Sequence, residues 1–328
     1  MLMIPEKFIV TPPPHIKAKG TVQRAMWDVF TALSLVTITS LYFYRLNALL
    51  LILVCMITAA LSDVIVRAAL GKKHSLRDGS ALLTGLFVAL CFSPTTSWWL
   101  AILATFIGVG IAKELMGGLG WNRFNPALFG RVAVIVLGSV FVLINPFAGW
   151  AVRFPMVDAV SGATPMALLK QGLPIPYGAL FFANPGGSLG ETSALALILG
   201  GLYLYHRGHI CWRIPVSTVG TVFVLTAIFG RNPLLHVLAG GLLLGAIFMA
   251  TDWVTSPVTH KGKLIYGVCI GILVTVFRLY MGPVEGVAFS ILIMNFFVPM
   301  IDKATHRLRF GETMENANLA ERARVMWG

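Results

Sequence analysis

Residues 48–69 read Ala48-Leu49-Leu50-Leu51-Ile52-Leu53-Val54-Cys55-Met56-Ile57-Thr58-Ala59-Ala60-Leu61-Ser62-Asp63-Val64-Ile65-Val66-Arg67-Ala68-Ala69. A helix needs about 20 largely apolar residues to cross the hydrocarbon core of a bilayer. This run supplies them, with Asp63 and Arg67 as its only charges. Those two are four residues apart, so a helix puts them on one face, where they can pair.

Similar runs recur along the chain. Of 328 residues, 57% are hydrophobic and 12% charged, and the mean hydropathy is +0.82. Soluble domains carry about a quarter charged residues, so a soluble globular protein is excluded. Helices satisfy their own backbone polar groups in lipid, which makes the expected fold an all-α polytopic membrane protein. Ten segments are expected, over 26–44, 48–69, 80–94, 98–115, 127–148, 189–205, 214–230, 233–251, 264–280 and 286–301. They form a transmembrane domain over 26–301, between a proline-rich arm (1–25) and a charged tail (302–328). Met1 to Val10 holds Pro5, Glu6 and Lys7 and leads into Pro12-Pro13-Pro14, which is not the pattern of a cleaved signal.

Basic residues cluster on the cytoplasmic side of bilayer proteins. With the N-terminus inside, 20 lysines and arginines fall on inner segments and 5 on outer ones (Arg45, Arg153, Lys170, Arg231 and Arg278). Both termini are then cytoplasmic, and the long loop 149–188 faces outward. The net charge of +12 is spread over short loops, with no basic helix or aromatic-interleaved patch, so no nucleic-acid partner is expected. Cys55, Cys91, Cys211 and Cys269 form no C-x-x-C. They read as small hydrophobes, and no metal site is expected on this chain alone.

A weak repeat runs through the chain. Gly85-Leu86-Phe87-Val88-Ala89-Leu90 leads to Ser93-Pro94, and Gly241-Leu242-Leu243-Leu244-Gly245-Ala246 leads to Ser256-Pro257. The offset is five segments, which reverses direction across the bilayer and implies two inverted five-helix repeats. Shared apolar composition is the competing explanation.

Three polar motifs interrupt the apolar pattern. Asp158-Ala159-Val160-Ser161-Gly162-Ala163-Thr164 lies in the outer loop. Gly162 and Ala163 remove bulk beside the hydroxyls of Ser161 and Thr164, leaving Thr164 accessible as an acceptor. Read locally, Thr164-Pro165 is also a helix N-cap and first turn. Gly117-Gly118-Leu119-Gly120-Trp121-Asn122-Arg123-Phe124-Asn125-Pro126-Ala127 lies on the inner side. Its glycines free the backbone, and Asn122, Arg123 and Asn125 suit an anion or the edge of a flat heterocycle. A tight re-entrant turn is the structural alternative. Met249-Ala250-Thr251-Asp252-Trp253-Val254-Thr255-Ser256-Pro257 ends a segment on the same side. Asp252 is costly there unless solvated, paired or functional, and Trp253 reads as an interfacial anchor. Arg131, Glu191, His236, Arg278 and Asn295 lie in or beside apolar runs, where structural pairing is the commoner role.

These motifs resemble those of the NqrB/RnfD family. RnfD is a component of the Rnf complex, an ion-translocating ferredoxin:NAD oxidoreductase, and NqrB is its close relative in the Na+-translocating NADH:quinone reductase. The arm Thr11-Pro12-Pro13-Pro14-His15-Ile16 leading to Met26-Trp27-Asp28-Val29, and the stretch from Pro283 to Asp302, carry the resemblance to both ends. The triple proline stands where serines are usual, and the longer N-terminal extension of the quinone-reductase relative is absent, so the resemblance is to RnfD. The resemblance implies that an FAD-dependent flavin transferase recognises Asp158, Ser161, Gly162, Ala163 and Thr164 and joins FMN to Thr164 by a phosphoester. It implies a second, noncovalent flavin (riboflavin) near Asn122, Arg123, Asn125, Asp252, Thr255 and Ser256. It implies an electron-transfer subunit of the inner (cytoplasmic) membrane, with the Rnf components A, B, C, E and G as partners and Na+ or H+ as the transported ion. No complete active site is expected on this chain, which has no strand–G-x-G-x-x-G–helix unit for NAD. The competing readings are an inverted-repeat secondary transporter without covalent flavin, an NqrB-like component of the quinone reductase, and a cofactor-free membrane scaffold.

Overall fold

The computed structural model describes residues 21–72, 76–144, 177–182, 186–280 and 286–305. Every regular element among them is a helix. Thr21 caps the first, α1 (Val22–Ala69), by accepting from the Arg24 N–H at 3.2 Å. A straight helix of this length would run ~70 Å. Arg45, with φ 48° and ψ −123°, interrupts it, and among the described residues no other non-glycine has positive φ. Met26, before this corner, lines the same cavity as Lys113, which bonds Asp63 after it, so the chain doubles back at Arg45. The two arms are the expected segments 26–44 and 48–69.

The third expected segment is a short helix, α2 (Ser80–Cys91), which opens after Gly79 at φ 76°. It stops before Ser93-Pro94, since the residue before proline disfavours helix. Its length of ~18 Å falls short of the ~30 Å hydrocarbon core. Helix α3 (Trp98–Phe106) runs into a π-helical stretch, Ile107–Leu115. Helix α4 (Pro126–Ile144) is capped by Asn125, whose Oδ1 accepts from the N–H groups of Ala127 (3.1 Å) and Leu128 (3.4 Å). Pro126 takes the first helical position, where no N–H is needed. Gly130 on α4 faces the preceding helix so closely that a Cβ there would lie 2.1 Å from the Ala104 carbonyl oxygen. Close backbone approach through small residues is how membrane helices pack.

Part of the loop expected over 149–188 is helical, as α5 (Tyr177–Phe182). The motif Asp158, Ser161, Gly162, Ala163 and Thr164 lies outside the described residues, as do the arm 1–20 and residues 306–328. The second half begins with a 3-10 turn, Leu189–Glu191, and α6 (Ala194–His206), whose first turn is capped by Ser193. Helix α7 (Arg213–Ile228) follows.

The expected unbroken segment 233–251 is interrupted. Helix α8 (Pro233–Leu238) ends at Ala239, and Gly240 and Gly241 take positive φ. The chain resumes as α9 (Leu242–Leu244), which runs into a second π-helical stretch, Gly245–Met249. The freed carbonyls of Ala239 and Gly240 accept from Arg278 Nη2 at 3.0 and 2.8 Å, and that of His236 accepts from Arg278 Nη1. Helix α10 (His260–Tyr280) carries Arg278, and α11 (Gly286–Thr305) closes the described chain.

Among the described residues, four stretches are long and apolar enough to span a bilayer: Val22–Ala69, Trp98–Leu115, His260–Tyr280 and Gly286–Thr305. Shorter apolar helices pack among them. Three cations counted as topology charges, Arg67, Lys113 and Arg278, are buried within this bundle. Each has a structural partner there, which lets a charge reside inside. Cys55 and Cys91 are buried, whereas Cys211 and Cys269 are partly exposed.

Candidate functional site

Both inner motifs converge on one cavity. Its wall is built from the first turns of α1 and α2, the end of the π-helical Ile107–Leu115, the loop into α4, and the chain after Met249. Asn122, Asn125, Thr251, Asp252 and Trp253 line it, so residues about 130 apart in sequence share one wall. Of the sequence-derived candidates, Asn122, Asn125 and Asp252 face this space. Arg123 is exposed and does not, and Thr255 and Ser256 are buried behind the wall.

The glycine-rich loop takes its shape from Gly117, Gly118 and Gly120, at φ 124°, 99° and 95°, a region that side chains with a Cβ rarely enter. The turn returns the chain to the bundle, where Asn122 and Asn125 are buried. Asn122 Nδ2 donates to the Phe124 carbonyl at 3.1 Å. The Asn125 amide caps α4 and donates to the Met249 carbonyl at 3.3 Å, tying the end of the broken helix to the start of α4. Asn295 on α11 joins the two motifs. With its amide nitrogen turned toward the Thr255 carbonyl (3.2 Å), its oxygen accepts from the Asn125 N–H at 3.1 Å. Asn295 is therefore a structural stitch.

Asp252 lies in the loop that ends the broken helix. Burial pushes its carboxyl up, against hydrogen bonds from the Thr255 hydroxyl (3.0 Å) and the Val254 and Trp253 amides. Trp253 is 47% exposed, as an interfacial anchor would be. Its indole N–H also donates to the His209 carbonyl at 2.6 Å.

Two further clusters stand at the cavity, of which sequence reasoning missed the first and found half of the second. At the rim, Asp28 Oδ2 meets His209 Nε2 at 2.6 Å and Arg207 Nη2 at 3.0 Å, and Tyr203 donates to Oδ1 at 3.2 Å. These bonds fasten the start of α1 to the loop after α6. In the wall, Lys113 Nζ lies 3.0 Å from Asp63 Oδ1 and 3.2 Å from Glu114 Oε1. Arg67 Nε lies 3.3 Å from Asp63 Oδ1 and 2.9 Å from Glu114 Oε2. The expected Asp63–Arg67 pair is thus half of a four-residue cluster. The other half, Lys113-Glu114, stands near the end of the apolar run 98–115, a position that topology charges also occupy.

The remaining wall is apolar, with Phe87 and Phe248 among rings and aliphatic side chains. Flat heterocycles with polar edges suit such a site, in which apolar faces surround a few placed polar groups.

An all-helical bundle with interrupted helices, buried ion pairs and an internal cavity defines a multi-pass membrane protein. The chain belongs to the NQR2, RnfD, RnfE family, whose profile matches residues 9–311. It is 39% identical over 323 residues to the D component of the proton-translocating ferredoxin:NAD(+) oxidoreductase complex of Clostridium ljungdahlii, covering 93% of this chain and 96% of that protein. It is 36% identical over 310 residues to the D component of the Na(+)-translocating ferredoxin:NAD(+) oxidoreductase complex of Acetobacterium woodii, covering 93% and 95%. The D component of an ion-translocating oxidoreductase complex of Stutzerimonas stutzeri is 35% identical over 334 residues, covering 89% and 93%.

Proposed function

We propose that this chain serves as the D-type membrane electron-transfer subunit of an Rnf-type ion-translocating ferredoxin:NAD oxidoreductase, with FMN esterified to Thr164. The sequence Asp158-Ala159-Val160-Ser161-Gly162-Ala163-Thr164 carries this reading. A threonine hydroxyl is a weak nucleophile and needs a base and a metal-bound phosphoanhydride to react. The FAD-dependent transferase supplies both, so Thr164 is the substrate of that reaction. Thr164 Oγ1 attacks the FMN phosphorus of FAD, AMP leaves, and the hydroxyl proton passes to the transferase's base. The product is a phosphodiester that keeps the cofactor from diffusing away.

The lined cavity is the place for the second flavin, riboflavin. Bound there, it would supply electron exchange. Phe87 and Phe248 offer faces to a flat ring, the carboxamide of Asn122 meets its edge, and the apolar wall excludes water. Asn125 contributes by holding α4 and the broken helix together. Arg123, Thr255 and Ser256 lie outside its lining.

The same reading places ten segments as two inverted five-helix repeats in the inner membrane, both termini cytoplasmic and Thr164 outside. Parallels between the halves support it. A glycine with positive φ, Gly79 or Gly241, opens both α2 and α9, and a Ser-Pro pair follows each of them, at Ser93-Pro94 and Ser256-Pro257. α2 packs on α1, with Gly85 against Cys55 and Ala59 of its second arm, as α8 packs on α7, and the helix before each closing helix, α4 or α11, packs against it. Partners are the other Rnf components, A, B, C, E and G. The coupling ion is Na+ or H+, since similar relatives carry either name.

The test is a denaturing gel of the chain co-expressed with its flavin transferase, viewed under ultraviolet light. The wild-type band fluoresces and Thr164→Ala is dark. A dark wild-type band favours the inverted-repeat transporter, which the broken helix 233–249 would equally serve.

A further inference from the structure

Lys113 is 2% exposed and lines the cavity, whereas the carboxylates it bonds, Asp63 and Glu114, and Arg67 beside them, stand behind the wall. A lysine ammonium has three N–H donors. Asp63 accepts from one of them at 3.0 Å, and Glu114 Oε1 lies 3.2 Å away as an ion-pair partner. Among the described residues, Asp63 is the one hydrogen-bond acceptor of this ammonium, so its remaining donating capacity is turned to the cavity. A buried donor without a partner is costly, and here it belongs to a residue of a cavity wall. Two acids and two bases make the cluster neutral as a whole. The charge nearest the cavity within it is the positive one.

We infer that Lys113 holds and poises an electron-accepting occupant of this cavity. A remaining N–H donates to a carbonyl oxygen of that occupant. Its fixed positive charge favours the occupant's reduced, more negative form. No bond to Lys113 is made or broken; the residue shifts an equilibrium. The inference rests on the reading of the cavity as the noncovalent flavin site. Asp252 and His209, also in the lining, are the other titratable groups facing the occupant. Both are tied to protein partners, Thr255 and Asp28.

The experiment uses the assembled complex, with co-purification of subunits as the check on folding. Noncovalent flavin is counted after acid extraction, and its midpoint potential is read in a dithionite titration at fixed pH. Lys113→Gln is expected to weaken binding of the reduced flavin relative to the oxidised by about tenfold, which is ~30 mV for a two-electron couple. Lys113→Arg, which keeps the charge, should retain most of the wild-type potential. If Lys113→Gln alone does not assemble, Lys113→Gln with Asp63→Asn restores charge balance and is read instead. A further measurement needs no variant: the carbonyl stretch of the bound flavin should lie below that of free flavin.

Wild-type complex without extractable flavin, or flavin left in place by the cavity-narrowing Leu83→Trp, would sink the cavity reading itself. Flavin that Leu83→Trp displaces, but whose potential moves less than twofold-equivalent in the Lys113→Gln forms, overturns the role of Lys113 alone. So does a carbonyl stretch at the free-flavin position.

Discussion

Arg278 Nη2 donates to the Gly240 carbonyl at 2.8 Å, across the 38 residues that separate the last turn of α10 from the break after α8. One guanidinium thereby serves carbonyls that the interrupted helix leaves without intrahelical donors. Unsatisfied buried carbonyls cost about 1–3 kcal/mol each. Arg278→Met is expected to lower the thermal unfolding midpoint in detergent by many degrees, with Arg278→Lys recovering part of the loss. An unchanged midpoint for Arg278→Met would mean that the break is held some other way.

The Asp63–Lys113 pair makes a second prediction. Removing one partner of a buried ion pair costs about 3–5 kcal/mol, because the other charge is stranded. Asp63→Asn and Lys113→Gln should each destabilise the protein, and the double variant should be more stable than the sum of the two predicts. Additivity in that cycle would show that the two side chains do not interact.

Gly130 predicts a packing defect. A Cβ there would lie 2.1 Å from the Ala104 carbonyl oxygen, whereas at Gly220 on α7 nothing lies within 4 Å. Gly130→Leu should force α3 and α4 apart at a cost of about 1–3 kcal/mol or more. Gly220→Ala should be neutral or stabilise by up to ~1 kcal/mol, as alanine does in a helix interior. Equal melting behaviour of the two variants would contradict the close crossing.

Asp252 predicts a pH dependence. Burial raises its carboxyl above the ordinary range, so the folded chain binds this proton more tightly than the unfolded one. Stability is then lost as pH rises from the unfolded pKa, about 4, toward the raised value, and stays lower above it. Asp252→Asn removes this penalty. Its unfolding midpoint should exceed that of the wild type at about pH 7.5, and the gap should close toward pH 4. A gap that grows on acidification would reverse the sign.

Much of this architecture was legible in residue order. Apolar runs gave the arms of α1 and the segment 98–115, and the four-residue spacing of Asp63 and Arg67 gave their pairing. The glycine-rich motif and the Asp252 motif were read as flanking one noncovalent flavin, and both reach one cavity. What escaped depends on distance in the chain. Asp28 meets Arg207 across 179 positions, and no local pattern marks such a bond. Lys113 and Arg278 lie near the ends of apolar runs, where a buried cation and a loop cation look alike. The break at 239–241 was hidden because the residues on either side of it are equally apolar.

The corner at Arg45 has a practical side. The two arms of α1 meet with almost no connecting loop, so a tag, reporter domain or protease site inserted there must distort the arms themselves. Accessibility mapping is better served by the chain around residue 231, where Gly230 and Asn232 stand exposed between α7 and α8.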